Sequence, residues 1–352
     1  MKNKNLKEHG EWMKGKGPEG DVVLSSRVRL ARNLKDYKFP SKASDKELLE
    51  VRSKILEVLN GLKYGFKIIN LEDLTKLERQ ALVERHLISI EHAQDGLGKM
   101  LAFTENEEIS IMVNEEDHLR IQILYPGMAL QEALTLANEL DDVLEEKLDL
   151  AFREDFGYLT SCPTNVGTGL RASVMAHLPG LKMAGSLGQT LNLVSRLGLA
   201  VRGLYGEGSE SYGDIFQLSN QVSLGISEEA VVKNMLGIIN QVIGQERQAR
   251  EAILKESEVA LKDKIARSFG ILVNAYKIAS QEAMDLLSDL KLGIELGFIR
   301  NIDSGILNKL MVLTRPATLQ KIMGGELSPA KRDIKRAELI RQKIGGGEVN
   351  VW

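Results

Sequence analysis

Cysteine is almost missing from this 352-residue chain: Cys162 stands alone, which excludes an internal disulfide and fits a reducing cytoplasm. Five scattered histidines and that one thiol are too few to build a dedicated zinc site. No apolar run approaches the ~20 residues that a membrane-spanning helix needs. The first twenty residues hold five Lys and three Glu without an apolar stretch, so no secretory signal is expected. A net charge of only −3 gives no electrostatic footprint for direct nucleic-acid or membrane binding. Also lacking are a Gly-x-x-x-x-Gly-Lys-Ser/Thr loop and a His-Arg-Asp catalytic loop, which excludes the commonest ATP-using folds. What is there, 43% hydrophobic and 27% charged residues, suits a large packed core divided over two domains.

The two halves differ in periodicity. From Asp21 to about Ser257 apolar residues alternate as in strands and also recur as in helices. Ile109, Ile111 and Val113 alternate with Ser110 and Met112; Leu119, Ile121 and Ile123 alternate with Arg120 and Gln122. This predicts two half-buried strands joined as an antiparallel hairpin. Further strands are predicted at 22–28, 66–69, 100–103, 199–205, 215–219 and 221–225. Helices are predicted at 45–59, 128–150 and 191–197, the first opened by a Ser44/Glu47 capping box. Beyond Glu228 the strand pattern stops, and a long helix to about Phe269, unbroken or broken near Gly244, leads to helices at 281–296, 306–313 and 329–344. The expectation is an α+β fold, an antiparallel sheet flanked by helices, with a C-terminal all-helical domain. The division falls at residues 1–257, core about 21–250, and 258–352, the second part packing on the first or on a second copy.

Four segments carry arginine among reactive groups. In Ser25-Ser26-Arg27-Val28-Arg29, at a strand end, Arg27 and Arg29 share a face. Asn114-Glu115-Glu116-Asp117-His118-Leu119-Arg120 puts three carboxylates in a hairpin turn. Ser161-Cys162-Pro163-Thr164-Asn165-Val166-Gly167-Thr168-Gly169-Leu170-Arg171-Ala172-Ser173 reads as a loop entering a helix, whose free N–H groups would favour the Cys162 thiolate and whose start Arg171 would charge. Val201-Arg202-Gly203-Leu204-Tyr205-Gly206-Glu207-Gly208-Ser209 is glycine-rich enough to close over a ligand. Each has a bland alternative, a solvated face, a structural thiol or a plain connection, which leads for the first two segments taken alone and not for the Cys162 segment. Together, Arg27, Arg29, Arg120, Arg171 and Arg202 can share one pocket only around a highly anionic ligand, for which a nucleoside triphosphate with Mg²⁺ is the obvious choice.

These segments, in this order and at this spacing, resemble the phosphagen (guanidino) kinase family, and more narrowly its bacterial protein-arginine-phosphorylating branch, from about Glu11 to about Ile344. The resemblance implies ATP contacts by Ser25, Ser26, Arg27, Val28 and Arg29, by His86 and Arg120, by Arg171, Ala172, Ser173, Val174 and Met175, and by Arg202, Gly203, Leu204, Tyr205, Gly206 and Glu207. Mg²⁺ would be held by ATP, with no metal site of the protein's own. The resemblance assigns Glu116 as principal base and orienting carboxylate, Glu207 as a second grip on the guanidinium, and Cys162 as a thiolate contacting it. Small-substrate members carry about a hundred helical residues ahead of the first arginine-rich strand, where this chain has about twenty. An uncovered site would admit an arginine displayed on another protein. Within the helical appendix, Arg332-Asp333-Ile334-Lys335-Arg336-Ala337 matches an Arg-Asp-x-x-Arg-Ala pattern associated with allosteric phosphoarginine binding through Arg332, Asp333, Arg336 and Ala337; as a bare helix face it would offer only an Asp333–Arg336 pair. The family further implies a cytoplasmic stress-response role with an activator protein, a heat-shock repressor and other Clp protease clients as substrates, and the Clp ATPase as partner, while the helical appendix points to a homodimer. A kinase for a free guanidino compound and a catalytically silent phosphoarginine-binding adaptor remain the alternatives.

Overall fold

A computed structural model describes residues 10–203, 212–345 and 348–349. Its strands are β1 (Val23–Arg32), β2 (Lys67–Asn70), β3 (Met100–Phe103), β4 (Ile109–Val113), β5 (Leu119–Pro126), β6 (Phe152–Arg153), β7 (Gly157–Tyr158), β8 (Leu170–His177), β9 (Leu199–Gly203), β10 (Ile215–Asn220), β11 (Ile299–Arg300) and β12 (Glu348–Val349). Its helices are α1 (Asp45–Asn60), α2 (Lys76–Glu84), α3 (Leu130–Glu145), α4 (Pro179–Met183), α5 (Leu187–Arg196), α6 (Glu228–Asn274), α7 (Ser280–Glu295), α8 (Ser304–Leu313), α9 (Pro316–Ile322) and α10 (Pro329–Ile344). Eight strands form one sheet in the order β2-β3-β4-β5-β1-β8-β10-β9, every neighbouring pair antiparallel.

Strand alternation gives this sheet two different faces. Val28, Leu30, Ile121, Ile123, Ala172, Val174 and Leu218 turn to one side and form the main core with Val51 and Ile55 of α1, Leu134 and Ala137 of α3, and Ile239 of α6. The opposite face is polar in its middle and covered only at its flanks. There α2 packs Leu82 onto Leu101, Phe103 and Met112, so the β4 strand expected to be half-buried is buried on both sides. Main-chain donors at α1 and α2 are met by capping boxes, Ser44 with Glu47 and Thr75 with Glu78.

The long helix α6 is interrupted at Ser257, where φ/ψ leaves the helical region, rather than near Gly244. Beyond it, Leu261, Ile265, Leu287, Leu290, Leu310 and Ile340 build a second core, to which Leu24 and Ile215 of the sheet also belong. Residues 221–225 are not a strand. Asn220 donates to the Val222 carbonyl (3.0 Å) and Ser223 donates to the carbonyls of Thr164 and Val166 (both 2.9 Å), which turns the chain into a bracket for the 160s loop. Among the described residues no helix is long and apolar enough to cross a membrane.

One carboxylate joins the two halves. Glu84, at the end of α2 and only 7% exposed, accepts hydrogen bonds from Ala317 N–H (3.0 Å), Thr318 N–H (2.7 Å) and the Thr318 hydroxyl (2.8 Å). It thereby caps the N-terminus of α9 from across the seam, as a residue of α9's own chain segment would. Glu84→Ala leaves three buried donors unmet. We expect it to cost about 2 kcal/mol of stability, read as a lower midpoint in urea unfolding; an unchanged midpoint would show that water takes over the cap.

Candidate active site

The polar face of the sheet gathers the arginines. Arg29 lies directly across from Arg171 on β8 and Gln122 on β5; Arg27 lies across from Ser173 and Leu124; Arg120 lies across from Ala31; Arg202 on β9 lies across from Gln217. All five guanidinium-bearing positions therefore belong to one face. Burial lowers the Arg27 pKa to about 10, assisted by Arg120 and Arg171. Burial also pushes Arg29 well down, with Arg27, Arg120 and Arg171 as repelling neighbours, and its Nε has no hydrogen-bond partner among the described residues. Arg27 donates to Gln217 Oε1 (2.9 Å) and to Ser173 Oγ (3.4 Å). Concentrated, partly desolvated guanidiniums of this kind fit a bound polyanion and little else.

The register also separates the expected nucleotide residues. Ser25, Arg27, Arg29, Arg120, Arg171, Ser173, Met175 and Arg202 share the polar face. Ser26, Val28, Ala172 and Val174 turn to the core side, Ser26 donating to the Gly127 carbonyl (2.7 Å), so these four can offer a ligand only their backbone. His86 has a left-handed φ of 62° that aims its ring at Trp12 (centroids 5.3 Å apart), beside Ser25, Arg27 and Met175. Burial, with Arg27 and Arg315 nearby, lowers its pKa to about 3, so it is neutral. Gly203 ends β9; Leu204, Tyr205, Gly206 and Glu207 lie outside the described residues.

Arg171 does not start a helix. Leu170–His177 is strand β8, and Cys162 N-caps only the three-residue 3-10 turn Pro163–Asn165, without a side-chain hydrogen bond to it, so among the described residues no α-helix starts at the thiol. The Leu170-Arg171-Ala172-Ser173-Val174 alternation is a strand pattern, and Gly169 (φ 67°) fits because a side chain there would strike the Ala31 carbonyl. Cys162 is half-buried, its Sγ 3.0 Å from Thr164 Oγ1.

The carboxylate turn sorts its three members. Asn114, at φ 58°, starts the turn and donates to the carbonyls of Leu48 and Gly98 (both 2.9 Å). Glu115 is tied to Arg120 (2.6 and 2.8 Å) and accepts from the Ser89 hydroxyl (2.5 Å). Its carboxyl is costly to bury, yet Arg120 and Ser89 outweigh that and hold its pKa down to about 2. Asp117 accepts from Asn33 Nδ2 and from Ser161 N–H (both 2.7 Å). Glu116 is exposed and its carboxylate makes no hydrogen bond to the described residues; partial desolvation, then the charges of Asp117 and Glu115, raise its pKa. The one uncommitted carboxylate is thus the one best suited to take a proton.

Sequence reasoning missed Gln217, Gln122 and Asn33. The two glutamines stand at polar positions of alternating strands, a usable signal; Asn33 gives none. In the C-terminal motif Arg336 is only 1% exposed and turned inward, donating to the carbonyls of Thr314 and Ile278 (both 2.8 Å) and to Asp333 (2.7 Å). Arg332 is half-exposed with one long bond to the Leu327 carbonyl (3.4 Å), and Ala337 is buried. Among the described residues no three His, Cys, Asp or Glu side chains cluster to hold a metal.

This sheet and its arginine face define a phosphotransferase acting on guanidino groups. Residues 48–249 match the family described as ATP:guanido phosphotransferase, C-terminal catalytic domain, and residues 258–350 match the protein-arginine kinase McsB C-terminal domain. The protein-arginine kinase of Halothermothrix orenii is 52% identical over 343 residues, covering 97% of both chains. That of Bacillus subtilis is 50% identical over 337 residues, covering 95% of this chain and 93% of its own. Among solved structures, a duplicated taurocyamine kinase from Schistosoma mansoni superposes with a TM-score of 0.60 at 26% identity, over 65% of this chain and 33% of that one. A lombricine kinase does so at 0.58 and 25%, over 68% of this chain and 69% of its own. The chain belongs to the protein-arginine kinase family.

Proposed function

We propose that this enzyme transfers the γ-phosphoryl group of ATP, carried with Mg²⁺, to the guanidinium of arginine residues in other proteins. The observation that carries the reading is the face shared by Arg27, Arg29, Arg120, Arg171 and Arg202 with Glu116 uncommitted at its edge. The arginines neutralise the phosphates, which is most of what phosphoryl transfer asks of a protein. Glu116 orients the acceptor guanidinium and takes its proton as the N–P bond forms and the bond to the ADP oxygen breaks. By the family resemblance, Cys162 and Glu207 would contact the same guanidinium. Two parallel contacts select a planar guanidinium over the ammonium of lysine. Mg²⁺ arrives on the phosphates and adds to their neutralisation.

Incubation with labelled ATP and either an unstructured basic protein or free arginine tests the reading. The expected product is an acid-labile, base-stable phosphoramidate on protein arginine, located by mass spectrometry; label on free arginine alone would favour a small-molecule kinase. A cytoplasmic role marking proteins for Clp-dependent degradation, a homodimer and an activator protein belong to the same proposal.

The motif in α10 is proposed to sense phosphoarginine through Arg332 and Asp333, with Arg336 orienting Asp333 from inside. The two arginines should then separate on mutation. With the active site blocked by a nucleotide analogue, Arg332→Ala is expected to abolish calorimetric binding of a phosphoarginine peptide, with unfolding unchanged within about 1 kcal/mol. Arg336→Ala should cost about 3 kcal/mol, because it strands two buried carbonyls and a carboxylate. Unchanged peptide binding by Arg332→Ala would reduce the motif to a structural staple.

A further inference from the structure

Glu116 and Cys162 belong to segments 46 residues apart, on loops at one end of the sheet. Nothing in either loop's local pattern fixes their mutual placement. A buried knot of polar atoms does. Asn33, just past the end of β1 and 1% exposed, donates through Nδ2 to Asp117 Oδ1 (2.7 Å) and to the Leu159 carbonyl (3.0 Å). Its Oδ1 accepts from His118 N–H (2.9 Å). The same Asp117 oxygen accepts from Ser161 N–H (2.7 Å). Asp117 is itself only 2% exposed. One carboxylate oxygen therefore joins the residue after Glu116 to the residue before Cys162, and one amide clamps both loops from beneath. His118 closes the ring: its Nδ1 receives the Leu34 N–H (3.1 Å) and its Nε2 lies 2.9 Å from the Lys38 carbonyl.

We propose that Asn33 and Asp117 are positioning residues that set the carboxylate turn and the thiol loop in the one spacing that grips a guanidinium from two sides. This rests on the reading of Glu116 and Cys162 given above. The physical case has two parts. Stability alone could be served by apolar side chains at a strand end, whereas a buried Asn–Asp pair with every amide site engaged fixes direction as well as distance. Further, an error of about 1 Å between groups that share one reacting guanidinium is costly, on the order of 10²-fold in rate. Asp117 has a second effect through charge. It faces Glu116 together with Glu115, Glu91 and Arg120, and the three carboxylates favour the protonated Glu116 while Arg120 opposes them.

The test uses the full chain and a basic protein substrate. Asn33→Ala should lower kcat roughly 10- to 100-fold and raise KM for the arginine substrate, with a smaller change in KM for ATP, since Arg120 is the one member of the arginine face that belongs to the carboxylate hairpin. Repeating the substitution in a Glu116→Gln background should erase most of that loss, because a misplaced base matters little once the base is gone. Asp117→Asn keeps an acceptor oxygen and removes the charge; it should stay within about fivefold in kcat and move the acid limb of kcat/KM to lower pH. Asp117→Leu, of similar size without the acceptor, should fall with Asn33→Ala. The proposal is overturned if folded Asn33→Ala keeps wild-type kcat, if its loss is equal in both backgrounds, or, should Asn33→Ala fail to fold, if Asp117→Leu matches Asp117→Asn. A wild-type protein that phosphorylates no arginine at all would instead defeat the underlying functional reading.

Discussion

Glu116→Gln is expected to lower kcat by about 10²–10⁴ while ATP still binds, the range for removing a positioned acid–base group. The substitution conserves shape and deletes only the charge and the basic oxygen. Its neighbours cannot stand in. Glu115 is spent on Arg120 and Ser89, and Asp117 on Asn33 and Ser161. The raised Glu116 pKa adds a signature. A general base works deprotonated, so as pH falls through that raised value the wild-type rate should fall too, at a higher pH than for an unshifted glutamate; the limb should vanish in the variant. Glu115→Gln should behave differently. Freed of its partner, Arg120 becomes one more uncompensated cation on the arginine face, so the damage should appear chiefly in nucleotide KM and in stability. Steady-state kinetics across pH for both variants would decide. A Glu116→Gln enzyme of normal kcat beside a crippled Glu115→Gln would mean that the turn presents the other carboxylate.

How much of this site could be read from the residues depends on the range of the interaction. Alternation in 119–123 and the shared side of Arg27 and Arg29 are local, and both follow from the pleat. The α2 helix is absent from the sequence reading, although Thr75 and Glu78 repeat the capping signature that located α1 through Ser44 and Glu47. Arg171 was misplaced onto a helix because Gly167 and Gly169 imitate a phosphate loop, although the residues after them alternate as a strand. Partners set by tertiary packing were out of reach: the polar slot of Gln217 was readable but not its pairing with Arg27, and neither Asn33 against Asp117 nor Glu84 capping a helix 233 residues away left a local signal. The inward turn of Arg336 is of the same kind, since sequence places it on a helix face without saying which side is covered.

Arg29→Met should move stability and function in opposite directions. In the nucleotide-free protein Arg29 is a partly buried cation whose Nε has no partner among the described residues, and repulsion by Arg27, Arg120 and Arg171 adds to the cost of its burial against the attraction of Glu115. Methionine fills much of the same volume without charge. Replacing such a group by an apolar one stabilises by about 1–3 kcal/mol, so the free enzyme should melt several degrees higher. With nucleotide the sign reverses. The phosphates lose a planar two-pronged donor in a site of low dielectric, and we expect ADP–Mg²⁺ to bind about 10²–10³-fold more weakly, with kcat/KM for ATP falling at least as far. Because a ligand stabilises only in proportion to its occupancy, added ADP should lift the wild-type melting temperature and leave that of Arg29→Met nearly unmoved, so the two titration curves cross. Thermal melts of both proteins over a range of ADP–Mg²⁺ settle the matter. A free Arg29→Met protein that melts below wild type would show that the arginine face is held by compensating contacts and is not strained by its own charge.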